Sequence, residues 1–153
     1  MDSRSKDSCR SVTLEEQLFV AILTAADSLS QDAEQLIKSA GLTGAQYNVL
    51  RILRGAEPGG LPCSGIAERM ISHDPDMTRL LDRMEKRNLI TRQRQKDDRR
   101  VVKTHVTEEG LALLKTLDIP VRERHKRQFQ HLSQSRLKAL AQLLTELGNP
   151  EST

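Results

Sequence analysis

The sequence predicts a mostly α-helical fold with one small β-hairpin, and three observations carry that expectation. Apolar residues recur at helical spacing over most of the 153 residues. Residues suited to helix N-caps stand ahead of those runs, at Thr13, Thr43, Ser64, Asp74, Thr107 and Ser133. Only the stretch from Ile90 to Val106 alternates as a strand pair does, around the charged centre KDDRR. With 37% hydrophobic residues, a chain of this length can bury one core, or a core plus an oligomerisation element.

Residues 1–12 (MDSRSKDSCRSV) are polar and read as a disordered arm. They lack the apolar centre of a secretory signal, and no apolar run in the chain approaches the roughly 18 residues that span a bilayer. The expectation is a cytoplasmic protein without a membrane partner. Thr13 and Glu16 have capping-box spacing and open a helix to about Ala40, ended by Gly41. Leu14, Leu18, Ile22, Ala25, Leu29, Ala33, Leu36 and Ala40 follow steps of three and four along it, the pattern of one buried stripe. Thr43 and Gln46 form a second box, opening a short helix through Tyr47, Leu50 and Leu53 that stops at Gly55.

After the loop AEPGGLPC, Ser64 caps a third helix carrying Ile66, Ala67 and Met70. Asp74 then caps a fourth, with Pro75 at its first position, running to about Arg87. Two helices joined by a tight turn have the layout of a helix-turn-helix. At about 100° per residue, Met77, Leu80, Leu81 and Met84 share one side of the fourth helix. Thr78, Arg79, Asp82 and Lys86 fall on the other, flanked by Arg83. Such a helix anchors in a core and offers cations and small polar groups outward, as entry into a major groove about 12 Å wide requires. The ordinary alternative is a surface helix with Asp82 and Lys86 paired across one turn.

Charge distribution bears on that choice. Net charge is only +3, but Arg79 to Lys103 holds ten Lys and Arg against four acids, a net of +6, leaving the remainder at −3. Ile90 to Gln93 and Val101 to Val106 pair as strands, so KDDRR becomes a cationic hairpin tip beside the candidate recognition helix. Arg99 and Arg100 there suit the negative potential of a narrow minor groove. A carboxylate beside them repels phosphate, so Asp97 or Asp98 is better placed to orient a neighbouring arginine through a charge-assisted hydrogen bond.

Thr107, with Glu108 and Glu109 in the first turn, opens a further helix carrying Leu111, Leu113, Leu114 and Leu117, bent or interrupted at Pro120. Ser133 caps a last helix bearing Leu137, Leu140, Leu143, Leu144 and Leu147. Together with the first helix, these carry more apolar surface than a small winged domain needs, and burial between two copies of the chain is the simple outlet.

The order LTGAQYNVLRIL, IAERM, TRLLDRMEKRNLI and DDRRVVKTHVTEEG resembles the MarR family of winged helix-turn-helix transcription factors, over about Leu42 to Gly110. The most specific piece is the family's wing motif: Asp, any residue, Arg, then a Leu-Thr pair. It is matched by Asp98-Arg99-Arg100 and, with a departure, by Val106-Thr107. The resemblance implies a winged helix-turn-helix over 42–107, flanked by dimerisation helices at 13–40 and 108–147, with a disordered tail at 148–153. It also implies a homodimeric repressor of a palindromic operator on double-stranded DNA, released by a small lipophilic or phenolic effector or by cysteine oxidation. On that reading Thr78, Arg79, Asp82, Arg83, Lys86, Arg99 and Arg100 contact DNA, and Asp98 orients the wing. Phe19, Ile22 and Tyr47 line an effector cleft between the winged domain and the dimerisation helices; their plain alternative is core.

The chain departs from the family in two places. His73-Asp74-Pro75-Asp76 stands where many members have a Ser/Thr-rich start to the recognition helix. An acid there favours the helix dipole but repels phosphate, and accepts from cytosine N4, which shifts base preference. Phe19 stands where the peroxide-sensing branch resembles this segment and carries its reactive cysteine. Cys9 and Cys63 lack CxxC spacing and a histidine at ligand distance, and read as free thiols, although Cys63 just ahead of a helix start suits a thiolate. The scattered histidines 73, 105, 125 and 131 give no metal set, and no cofactor is expected. There is no GxSxG, Walker or HExxH motif, so the expectation is not an enzyme. The remaining rivals are a winged-helix protein-interaction module and a thiol-based redox regulator.

Overall fold

The computed structural model describes residues 12–149 apart from 97 and 99. Cys9, Asp97, Arg99, residues 1–11 of the expected N-terminal arm and residues 150–153 of the expected C-terminal tail lie outside those residues. The element order is α1 (Leu14–Ser39), α2 (Gly44–Ala56), α3 (Cys63–Ala67), α4 (Met77–Lys86), β1 (Ile90–Arg94), β2 (Val102–Val106), α5 (Glu108–Phe129) and α6 (Gln134–Gly148). The fold is therefore mostly helical with one antiparallel hairpin.

Four starts follow their local chemistry. Thr13 and Thr43 each close a full capping box, and Thr107 and Ser133 accept from Gly110 and Arg136. Two do not. Ser64 lies inside α3, whose cap is Pro62: its fixed φ brings the chain in extended, and its carbonyl takes the Ile66 N–H at 3.1 Å. Met70 falls beyond that helix. Asp74 is not the cap of α4 either. Its Oδ1 accepts from the backbone N–H of Asp76 at 2.9 Å, while Asp76 Oδ1 accepts from Arg79 at 3.1 Å, so Pro75 stays outside the helix. Two aspartates compete for one helix start, and the one three residues before a free N–H wins. Helix α5 continues through Pro120 without interruption.

At the other end of α4, Asn88 adopts φ 57°, and the N–H of Leu89 bonds to Met84 O at 3.0 Å, a Schellman-type closure that turns the chain into β1. The hairpin pairs Ile90 with Val106 through Arg94 with Val102. Leu61 adds a single bridge on the outer edge of β2, exchanging both backbone hydrogen bonds with Thr104 at 3.0 and 2.7 Å. The core joins Ile37, Leu42, α2 (Val49, Leu50, Leu53), Ile66, the inner face of α4, Leu89, Ile90 and Val106 to α5 (Leu114, Leu117, Val121).

The stripe on α1 is not buried as its periodicity predicts. Leu14 and Leu18 are exposed, as are Phe19, Val20 and Leu23, and Ile37 is the helix's one buried residue. Helix α6 buries none of its residues. Among the described residues, most of the N-terminal half of the α1 stripe and most of the apolar face of α6 are left exposed.

Candidate nucleic-acid interface

Helix α4 has the two-sided character its sequence implies. Met77, Leu80, Leu81 and Met84 are buried, a term worth roughly 1.5–3 kcal/mol per side chain, which fixes the helix about its axis. That leaves Thr78, Arg79, Arg83 and Lys86 exposed on the opposite side. Arg87 is drawn back instead, its Nη1 donating to the buried Gln46 Oε1 at 3.3 Å.

Asp82, on the same outer side, is engaged by the wing through one of its oxygens. Its Oδ1 lies 2.6 Å from Nη2 of Arg92 on β1. The same Nη2 donates to Glu85 Oε2 at 2.6 Å, Arg92 Nε donates to that oxygen at 3.0 Å, and the Arg92 backbone N–H donates to Glu85 Oε1 at 3.0 Å. The hydrogen bond from Arg92 holds the Glu85 carboxyl below the usual carboxylate value, and Glu85 in turn raises the Arg92 guanidinium. The i,i+4 pairing of Asp82 with Lys86 is not among the ion pairs of the described residues.

Glu57, at the end of α2, reaches the base of the hairpin: Oε1 accepts from the Val106 N–H at 3.2 Å and Oε2 stands 3.3 Å from His105 Nδ1. Gly60, at φ 61°, packs against the His105 ring, where a β-carbon would come within 2.5 Å. The hairpin is thus tied to α4, to α2 and to the Leu61 segment. At its tip, Asp98 Oδ1 accepts from the backbone N–H of Arg100 at 2.9 Å. Arg99, the other arginine beside it, lies outside the described residues. Arg94, Lys96 and Arg100 are exposed.

Sequence reasoning missed Arg92, Glu85, Glu57 and Thr104. Arg92 looks like one more cation in a basic run, and nothing local marks it as internally bonded. Thr104, 1% exposed, has a weak signal: a β-branched polar residue on the inward phase of an alternating strand.

Between α2 and the start of α6, along α5, lies a cleft of about 690 Å³. Tyr47 lines it; Phe19 and Ile22 are not among its lining residues. Val121, Phe129 and Leu137 give it apolar walls, while Arg51 and Arg122 give it cations and His125 an imidazole. Arg51 lies over the Tyr47 ring at 5.8 Å, and Asp118 accepts from Arg54 Nη1 through both oxygens at 2.9 Å. Cys63 is exposed. Among the described residues no three His, Cys, Asp or Glu side chains converge as a metal site, and no helix is long and apolar enough to cross a membrane.

A two-sided helix after a short helix and turn, followed by a hairpin with cations at its tip, defines the class: a winged helix-turn-helix regulator of transcription. Residues 42–102 match the MarR family profile. An organic hydroperoxide resistance transcriptional regulator of Bacillus subtilis is 32% identical, covering 70% of this chain and 72% of its own. The homoprotocatechuate degradative operon repressor of Escherichia coli is 27% identical over 89% of this chain and 93% of its own. The crystal structure of a MarR transcription factor from Planctomyces limnophilus superposes with a TM-score of 0.67 at 37% identity, covering 89% of this chain and 98% of that one. The chain belongs to the MarR family of transcription regulators. These relatives are regulators and not enzymes.

Proposed function

We propose that the protein is a homodimeric cytoplasmic repressor that binds a palindromic operator and is released by a small aromatic ligand. The observation that carries the DNA-binding part is α4, with four hydrophobes buried and Thr78, Arg79, Arg83 and Lys86 exposed, immediately before the wing. In a symmetric dimer two such helices enter successive major grooves when their separation matches one turn of B-DNA, about 34 Å. Arg100, with Arg99, reaches the minor groove from the hairpin tip. Asp82 is dropped from the contacting set, since Arg92 occupies it. The exposed apolar faces of α1 and α6 support the dimer. The E. coli relative is named as a repressor, of an operon that degrades an aromatic acid, homoprotocatechuate, which supports repression and suggests an aromatic compound as the effector.

The effector site of this reading is the cleft beside Tyr47. Its volume falls in the range of small-molecule sites, and Arg51, Arg122 and His125 over apolar walls suit an aromatic body bearing a carboxylate. Joining α2 of the winged unit to α5 and α6, such a ligand favours one packing of the two. A hundredfold loss of DNA affinity requires about 2.7 kcal/mol of preference between them. Fluorescence anisotropy with inverted repeats from upstream of the protein's own gene tests this. Tight binding, weakened by a hydroxybenzoate such as salicylate in the wild type but not in Arg51→Ala, is expected. No pseudo-palindrome bound there or near a neighbouring gene ends the local-repressor reading; no shift with any aromatic acid ends the effector part.

A further inference from the structure

Arg92 stands in the most basic part of the chain, yet its guanidinium is directed inward, onto α4. Its side chain is 28% exposed, less than Asp82 at 45% or Glu85 at 37%. Nε and both protons of Nη2 are committed to these carboxylates, and its own backbone N–H also serves Glu85. The Nε/Nη2 face that would grip a phosphate through two parallel bonds is thereby taken. Conversely, bare carboxylates on a helix meant for DNA repel phosphates. Arg92 pairs across the hairpin with buried Thr104, which is bonded on its other side to Leu61. One continuous set of bonds therefore runs from α4 through β1 and β2 to the loop ahead of α3.

We propose that Asp82, Glu85 and Arg92 are a positioning clamp that sets the wing against α4, so that both reach the DNA together, and that none of the three touches DNA. The clamp rests on the operator-binding reading above. Two features favour it over a simple stabilising ion pair. Glu85 grips backbone and side chain of the same residue, which restricts the rotation of β1 and not only its distance. The clamp also stands at the junction the chain crosses in leaving α4, four residues after Asn88, where the wing's direction is set.

Opposite signs make the test. Glu85→Ala removes a negative charge beside the proposed interface, so electrostatics alone strengthens binding to any DNA. The clamp requires the reverse for the operator: about tenfold weaker binding, with binding to random duplex unchanged or stronger. Arg92→Lys keeps the charge and loses the fork, so it also weakens operator binding about tenfold. Its salt slope stays that of the wild type, because the same phosphates are neutralised in both. In a Cys9→Ser, Cys63→Ser background, spin labels at positions 78 and 96 report the α4-to-wing distance without DNA: narrow in the wild type, broad in both variants. Tighter or unchanged operator binding, an equal loss on random duplex, or an unbroadened distance overturns the clamp. Failure of the wild type to bind any operator overturns the functional reading instead, and the label distances then decide the clamp alone.

Discussion

A β-carbon at position 110 has nowhere to go. It would run into the carbonyl oxygen of Leu89 and come within 2.8 Å of Val106 and 3.2 Å of Leu50, where the end of the hairpin crosses the start of α5. Two of these neighbours are core side chains and one is backbone, so relief requires α5 to move. Gly110→Ala is expected to destabilise the protein by about 1–3 kcal/mol in urea unfolding. Gly55, in the last turn of α2 with open space around it, gives the contrast: Gly55→Ala stabilises by about 0.5–1 kcal/mol, since only backbone entropy changes. Glu85 supplies a pH prediction. Its carboxyl titrates below the ordinary 4.5 in the folded state, so its contribution is complete above that value and lost as pH falls through the lowered one. The melting-temperature difference between wild type and Glu85→Ala is expected to be constant near neutrality and to shrink below about pH 4.5.

For the elements, α4 and the wing share one job and divide it by chemistry. Arg79, Lys86 and Arg100 are exposed cations on either side of the clamp. Replacing any of them by alanine is expected to lower the log-log salt slope by about 0.9 for each phosphate left without its cation, with stability changed by less than about 0.5 kcal/mol. A slope unchanged in all three removes the interface from this face. The inner and outer faces of α4 were legible because helical period alone separates them, and the caps at Thr13, Thr43, Thr107 and Ser133 because each completes itself within three residues. The errors at Ser64 and Asp74 arise where two adjacent candidates compete for one start, which spacing does not rank. The bond from Arg92 to Asp82 is not legible in sequence because the two sit ten residues apart on different elements. The Leu61 bridge to Thr104 joins positions 43 apart, beyond any local pattern. Tyr47 does line the cleft, whereas Phe19 and Ile22, expected beside it between the winged domain and the dimerisation helices, are not among its lining residues in the single chain.

The molecule as a whole is built around a surface it does not cover. Leu18, Phe19 and Leu23 on α1, Ile119 on α5, and Leu143, Leu144 and Leu147 on α6 are each about half exposed or more. A stripe of period 3.6 reads the same whether its own chain or a second copy buries it, so the sequence predicted burial and a single chain leaves it undone. Among the described residues α6 has no buried residue and α1 has one, Ile37, which favours a second copy as the cover for their apolar faces. In a two-fold dimer every exposed leucine counts twice, at roughly 1.5–3 kcal/mol for each one fully buried. Leu143→Glu with Leu147→Glu therefore places four carboxylates in the proposed interface, and sedimentation should show the wild type as a dimer and the variant as a monomer. Operator affinity falls with it, since one recognition helix then binds without its tethered twin, while hydrogen exchange in the α2, α4 and α5 core stays slow if that core is complete within one chain. A wild type that sediments as a monomer, or a variant that remains dimeric, would mean that these leucines meet some other surface, and the spacing of the two α4 helices would lose its support.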